Sequence, residues 1–259
     1  MDLGLKGKVA LVTGVGNQRG YGVGIAEYLA KEGCDIIGVD IDIEGTEKTC
    51  EKVRALGRKA LAIKTNVANR AEVKDMVKKA IAEFGKIDIL VNNAGTSTVL
   101  MPFIEMSEED CDILVDVNLH GQMNVGREVI PHMISRKYGR IVNITGGQGG
   151  ATISVYGASK AGVGAWTKSI AAELVEHGII VNGVHPGLGN TGLNMIGRGG
   201  RYLTDEEEQE FANKYFGLQR FCKGEDMGPL VAFLASDVCS YMVGELLNMN
   251  AGPRGGMFP

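Results

Sequence analysis

The sequence is poor in the features that would tie a protein to a metal, a membrane or a nucleic acid. Its five cysteines (Cys34, Cys50, Cys111, Cys222 and Cys239) are odd in number and scattered, with no CxxC pair and no Cys/His ligand spacing. They read as reduced thiols in a reducing compartment, the cytoplasm, with no metal site expected. The formal net charge of −4 gives no electrostatic case for nucleic acid or an anionic membrane as a partner. No uncharged apolar run approaches the ~20 residues that span a bilayer. The first eight residues lack the apolar stretch of a secretory signal. No internal repeat and no linker divides the 259 residues, so residues 1–259 are expected to form one domain, a size at which α/β folds often stay single.

Glycine, by contrast, is abundant: 38 of 259 residues, about twice the usual share. The glycines gather in loops, which points to backbone that a ligand approaches closely. Between those loops, short apolar runs alternate with helical patterns. Residues 8–13 (KVALVT), 35–40 (DIIGVD), 59–64 (KALAIK), 88–92 (DILVN), 140–145 (RIVNIT), 179–184 (IIVNGV) and 245–249 read as strands. Residues 23–32, 44–56, 70–84, 107–137, 154–177 and 225–234 read as helices, with Pro131 a kink or break in the long fourth one. Strand–helix alternation at this pace implies crossover connections. The expected fold is α/β: a single-domain Rossmann fold, a doubly wound parallel sheet of about seven strands with helices on both faces. Residues 188–217, Gly-rich and then acidic and helical from Thr204, read as a lid over the site.

The first strand runs into Thr13-Gly14-Val15-Gly16-Asn17-Gln18-Arg19-Gly20-Tyr21-Gly22 and then a helix. Glycines there permit the tight turn and let a pyrophosphate sit against helix N–H groups. Asp40 ends the second strand about twenty residues beyond, where an acid bonds the adenosine ribose hydroxyls and repels a 2′-phosphate. NAD is therefore favoured over NADP, with Ile41 beside it at the adenosine end. Arg19 works against that exclusion, since a loop arginine can pair with a 2′-phosphate.

Taken together, Thr13-Gly14 with Gly20 and Gly22, Asn92-Asn93-Ala94-Gly95, Asn118, Tyr156-Gly157-Ala158-Ser159-Lys160, and Pro186-Gly187 with Thr191 resemble the short-chain dehydrogenase/reductase family over about residues 5 to 252. The resemblance implies that Gly14, Gly20 and Gly22, with Asn17, Arg19 and Tyr21 of the same loop, face the pyrophosphate. It implies Asn93, Ala94 and Gly95 beside the adenosine, and Asn118 holding a water in a proton relay. It makes Tyr156 the acid/base and Lys160 its partner, with Pro186, Gly187 and Thr191 at the nicotinamide. The residues support the Tyr–Lys assignment independently. Four apart on a helix, they share a face, and an ammonium beside a phenol favours phenolate.

The chain departs from the family pattern in three places. Five residues, not three, separate Gly14 from Gly20. Asn66, followed by Val67, stands where an Asp usually contacts adenine, and its carbonyl can accept the same bond. Gly146 stands where the family has a Ser, in a loop about three residues shorter; Thr145, Gln148 and Ser154 are the candidate replacements, Thr145 first. His185 lines the expected site. Arg198 and Arg201 of the lid are candidates to clamp an anionic small-molecule substrate.

The expected activity is NAD-dependent interconversion of a secondary alcohol and a ketone. The alternatives are a catalytically silent subunit beside an active paralogue, which Gly146 favours, and an enoyl reductase, whose Tyr–Lys spacing is usually wider. The two long helices and the last strand imply a homo-oligomer, dimer or tetramer, with a hetero-oligomer possible, and the tail of residues 252–259 could reach a neighbouring subunit.

Overall fold

The structure, a computed structural model, describes residues 2–146 and 149–252; Gln148 and the tail from residue 253 on lie outside them. Seven parallel strands form one sheet in the order β3-β2-β1-β4-β5-β6-β7. They are β1 (Val9–Thr13), β2 (Asp35–Asp40), β3 (Ala60–Lys64), β4 (Ile89–Asn92), β5 (Gly139–Ile144), β6 (Ile179–His185) and β7 (Leu246–Asn248). The central strands are buried along their whole length, which is why they read as unbroken apolar runs rather than alternating ones. Strand order reverses between β1 and β4, and ligands of such sheets bind in the crevice outside the carboxyl ends at that point.

Helices cover both faces. On one, α1 (Tyr21–Lys31) and α9 (Gly224–Leu234) pack Ile25, Leu29, Met227 and Val231 against Val12, Ile36 and Val142. On the other, α3 (Arg70–Phe84), α5 (Gly121–Arg136) and α6 (Ser154–Leu174) bring Val77, Val129 and Ile170 to Leu11, Leu90 and Ile141. Local chemistry sets the helix ends. The Asp42 side chain caps α2 (Ile43–Ala55), and that of Asn69 accepts from the N–H groups of Ala71 and Glu72 at the start of α3. Among the described residues no helix is long and apolar enough to cross a membrane, and no cluster of His, Cys, Asp or Glu could hold a metal ion.

Two expectations need correction. The stretch 107–137 is interrupted, but not at Pro131. It is α4 (Glu108–Val115), a π turn over Asp116–His120, and then α5, which carries Pro131 inside it. Pro131 and Arg127, whose carbonyl loses its helical partner, both lie on the exposed side, where water satisfies the carbonyl. The lid is also more ordered than its glycines suggest. It holds α7 (Gly192–Gly197) and α8 (Asp205–Tyr215), the latter started by a capping box of Thr204 and Glu207. Phe211, Phe216 and Phe221 give it a small core of its own, with Phe216 edge-on to Phe221 at 5.3 Å.

Candidate active site

A cleft of about 1370 Å³ opens at the carboxyl ends of the strands, across the β1/β4 reversal. It gathers residues far apart in sequence: Gly14, Asn17, Gly20 and Tyr21; Asp40 and Ile41; Asn66 and Val67; Asn93, Ala94 and Gly95; Thr145 and Gly146; Tyr156 and Lys160; His185, Pro186 and Gly187; Thr191 and Arg198. Arg19, Gly22, Asn118 and Arg201 do not line it.

The glycine loop is held from both sides. Gly14 has φ +76°, and a Cβ there would lie 2.7 Å from Asn93 Nδ2 and 2.8 Å from the Ala94 Cα. The Asn93 amide donates to the Thr13 and Gly14 carbonyls, at 2.9 Å each, while the Thr13 hydroxyl accepts from the Asn93 and Ala94 N–H groups at 3.0 Å. Gly22 takes part in this packing, since a side chain at Gly22 would run into the Gly14 carbonyl. On the other side, Asp40 Oδ2 accepts from Gly16 N–H at 2.8 Å and Oδ1 from Asp42 N–H at 3.0 Å. Gly16 therefore helps to hold Asp40. Ile41 stands 64% exposed at the rim. Asn66 spends its carbonyl on the Ala68 N–H at 3.0 Å, so its amide donor is the group left for a base.

The longer loop reaches the lid. Asn17 Nδ2 donates to the Tyr202 hydroxyl at 3.0 Å, and Arg19 lies over the Tyr202 ring at 4.5 Å with Glu208 at 3.9 Å. These contacts turn Arg19 toward the lid. It lines a separate crevice between α1 and α9. Tyr21 ties the loop to the far wall, donating to the Gly187 carbonyl at 2.6 Å.

Tyr156 and Lys160 lie on the cleft side of α6. Lys160 is 3% exposed and donates to the Ile144 carbonyl at 2.5 Å; Gln122 donates to the same carbonyl at 3.1 Å. Burial holds the Lys160 ammonium down to about 8 and pushes the Tyr156 phenol up to about 12. The ammonium is turned to the Ile144 carbonyl, and desolvation dominates the phenol. A buried relay of amides fixes α6 against the sheet: Asn92 donates to Asn143, and Asn143 to the Thr167 hydroxyl, both at 2.9 Å. Asn118 sits in the π turn and is wholly buried. Its amide bonds the Thr96 backbone at both ends, accepting at 2.8 Å and donating at 3.0 Å, so the side chain pins the loop after β4 instead of facing the cleft.

Comparison with known proteins agrees with this layout. A model of the short chain dehydrogenase family matches residues 8–198. The 3-oxoacyl-[acyl-carrier-protein] reductase FabG of Thermotoga maritima is 36% identical over 251 residues, covering 96% of this chain and 98% of that protein. The chain belongs to the short-chain dehydrogenase family. It is an oxidoreductase of that family. The oxidoreductase UcpA of Salmonella typhimurium is 39% identical, covering 93% of this chain and 92% of that one. Among solved structures, carveol dehydrogenase from Mycobacterium avium in complex with NAD superposes with a TM-score of 0.88 at 28% identity, over 95% of this chain and 97% of that one. NAD+-bound xylitol dehydrogenase gives 0.85 at 31%, over 96% and 99%.

In this short-chain dehydrogenase position 146 is shaped for glycine. Gly146 has φ +149°, and a Cβ there would meet only the Lys160 side chain, at 3.5 to 3.8 Å. The groups nearby are Thr145, 3% exposed, and His185, whose pKa burial and the Lys160 charge hold below the usual imidazole range. Neither the Thr145 hydroxyl nor the His185 ring has a hydrogen-bond partner among the described residues. Ser154 opens α6 but makes no side-chain cap. The two lid arginines part company. Arg201 is fully exposed and bidentate to Glu207, at 2.6 and 2.9 Å, while Arg198 turns into the cleft.

Proposed function

We propose that this enzyme interconverts a secondary alcohol and a ketone with NAD(H), Tyr156 moving the proton. The observation that carries the reading is the placement of Tyr156 and Lys160 in the same cleft as the glycine loop and Asp40. The cleft fits a dinucleotide: the Gly14 and Gly20 backbone borders it without side chains, and the buried Thr65 hydroxyl on its wall has no partner among the described residues. Asp40 favours NAD. Of the described residues lining the cleft, the cations are Lys160 and Arg198, on α6 and the lid, and Arg19 is engaged elsewhere, so none of them stands at β2 to meet a 2′-phosphate.

The nicotinamide, when bound, supplies the hydride chemistry. The chain supplies the rest. Gly14, Gly20 and Asn17 take the pyrophosphate; Asp40, Ile41, Asn66 and Val67 the adenosine; and Pro186, Gly187 and Thr191 the nicotinamide end. At neutral pH Tyr156 is the phenol, the form that donates a proton to a carbonyl oxygen. Bringing its pKa from about 12 to neutrality would take about 7 kcal/mol, so oxidation depends on the positive nicotinamide and on alkaline pH. Lys160 orients the nicotinamide ribose, and Thr145 and His185 are the donors left for the substrate oxygen where Gly146 offers none. Asn118 acts through Thr96. Cys34, Cys50 and Cys239 are buried and unpaired, which suits a cytoplasmic enzyme, and the faces of α5 and α6 suit a homo-oligomer.

The test is Tyr156→Phe on a panel of secondary alcohols and ketones. Loss of turnover with nucleotide binding intact supports the reading. Binding without turnover in the wild type would instead support the silent-subunit alternative that Gly146 favours.

A further inference from the structure

We propose that Arg198 recognises a carboxylate on the substrate, so that this site takes a hydroxy or oxo acid with an apolar body. The inference rests on the reading of the cleft as a substrate site. Among the described residues, four arginines are buried or half-buried: Arg58, Arg136, Arg140 and Arg198. The first three meet carboxylates, Asp35 at 2.8 Å, Asp88 at 2.8 Å and Asp237 at 3.3 Å. Arg198 has no carboxylate. Its nearest acceptor is Asn190 Oδ1 at 3.5 Å, and that oxygen already accepts from Leu203 N–H at 3.2 Å. A guanidinium taken partly out of water and left unpaired is costly.

The lid does carry acids close by, but they are engaged elsewhere. Glu207 is held by Arg201 and by the Thr204 N–H. Glu208 accepts from Asn190 Nδ2 at 2.9 Å and faces Arg19. Burial and the like charge of Arg201 lower the Arg198 guanidinium, opposed by Glu207 and Glu208, so a fixed anion there would restore what the fold withholds.

Arg198 caps α7 at its C-terminal end. The Gly197 carbonyl just before it accepts from the Leu100 N–H at 3.3 Å, fixing the lid against the loop after β4. The cleft lining includes the apolar Leu100, Leu193, Met195, Ile196 and Phe211, and also the acids Glu108, Glu109, Asp112 and Asp116 of α4 and the π turn. One planar fork matches a monoanionic carboxylate, bound through two parallel hydrogen bonds. A phosphate dianion would call for a second cation, and Arg201 is turned away.

The test titrates the full chain with hexanoate, hexyl phosphate and hexanol by calorimetry, in wild type, Arg198→Ala, Arg198→Lys and Arg201→Ala. Hexanoate is expected to bind roughly 10- to 100-fold more tightly than hexanol. Arg198→Ala should abolish that preference, Arg198→Lys should keep part of it, and Arg201→Ala should leave it unchanged. Hexanoate binding no tighter than hexanol, or a preference that survives Arg198→Ala, overturns the proposal. Hexyl phosphate binding tighter than hexanoate overturns the carboxylate in favour of a phosphate. The readout does not involve Tyr156. If Tyr156→Phe keeps both turnover and the hexanoate preference, the proposed chemistry fails while the role of Arg198 stands.

Discussion

Placing a hydroxyl at position 146 should harm this enzyme. The Gly146 backbone has φ +149°, and a Cβ there would find its nearest neighbours in the Lys160 stem at 3.5, 3.7 and 3.8 Å. These are ordinary contacts, so the side chain itself meets no clash and the whole cost is backbone strain. A non-glycine residue held in such a conformation costs about 1–3 kcal/mol. In a chain of this size each kcal/mol lowers Tm by roughly 2–4 °C, which gives a fall of about 2–12 °C. Gly146→Ala and Gly146→Ser share that penalty, so comparing them isolates the hydroxyl. The new Oγ starts from a carbon lying against Lys160, so it should add no turnover. Scanning calorimetry and kcat/KM on the same preparations make the test. Gly146→Ser melting with the wild type, or turning over faster than it, would refute the reasoning.

Asp88 lies under the sheet, where burial works to raise its carboxyl but Lys86, Arg136 and the Val9 N–H outweigh it and hold it below the usual carboxylate range. Because the folded-state value is the lower one, its stabilisation is complete above the unfolded pKa and is lost as pH falls through the folded one; Asp88→Asn should cost about 3 kcal/mol at pH 7 and progressively less as pH falls through the carboxylate range, and a loss that does not change with pH would contradict this. Asn93→Ala removes two 2.9 Å bonds to the Thr13 and Gly14 carbonyls and should weaken NADH binding by roughly 10-fold or more, seen by nucleotide fluorescence; unchanged affinity would mean the loop holds without it. With the Tyr156 phenol pushed up to about 12, alcohol oxidation should climb with pH from 7 to 10 while ketone reduction does not, and an oxidation optimum at neutral pH would count against Tyr156 as the base.

The strands were legible because parallel strands buried on both sides are apolar throughout, so β2 and α3 begin and end where the pattern puts them. The π turn at Asp116–His120 was not legible, since no glycine or proline marks its centre and the proline that is present lies where water can repair the helix. At the site, the motifs named the right loops but not the direction of each side chain. Gly22 packs on the Gly14 carbonyl and Asn118 bonds the Thr96 backbone, Arg19 and Arg201 find carboxylates on the lid, and among the described arginines Arg198 alone lines the cleft. Such choices depend on partners tens to hundreds of residues away, as with Asn17 and Tyr202. The lid's aromatic core also escaped notice, because Phe211, Phe216 and Phe221 come from separate turns and share no helical period.

The account turns on Asp40 at a cleft end that holds no cation. Titrating the full chain with NADH and with NADPH, followed by fluorescence, tests it most directly. The account predicts NADH binding at least 10-fold tighter than NADPH, a gap that Asp40→Ser should narrow. Equal affinities, or NADPH the tighter ligand, would contradict it.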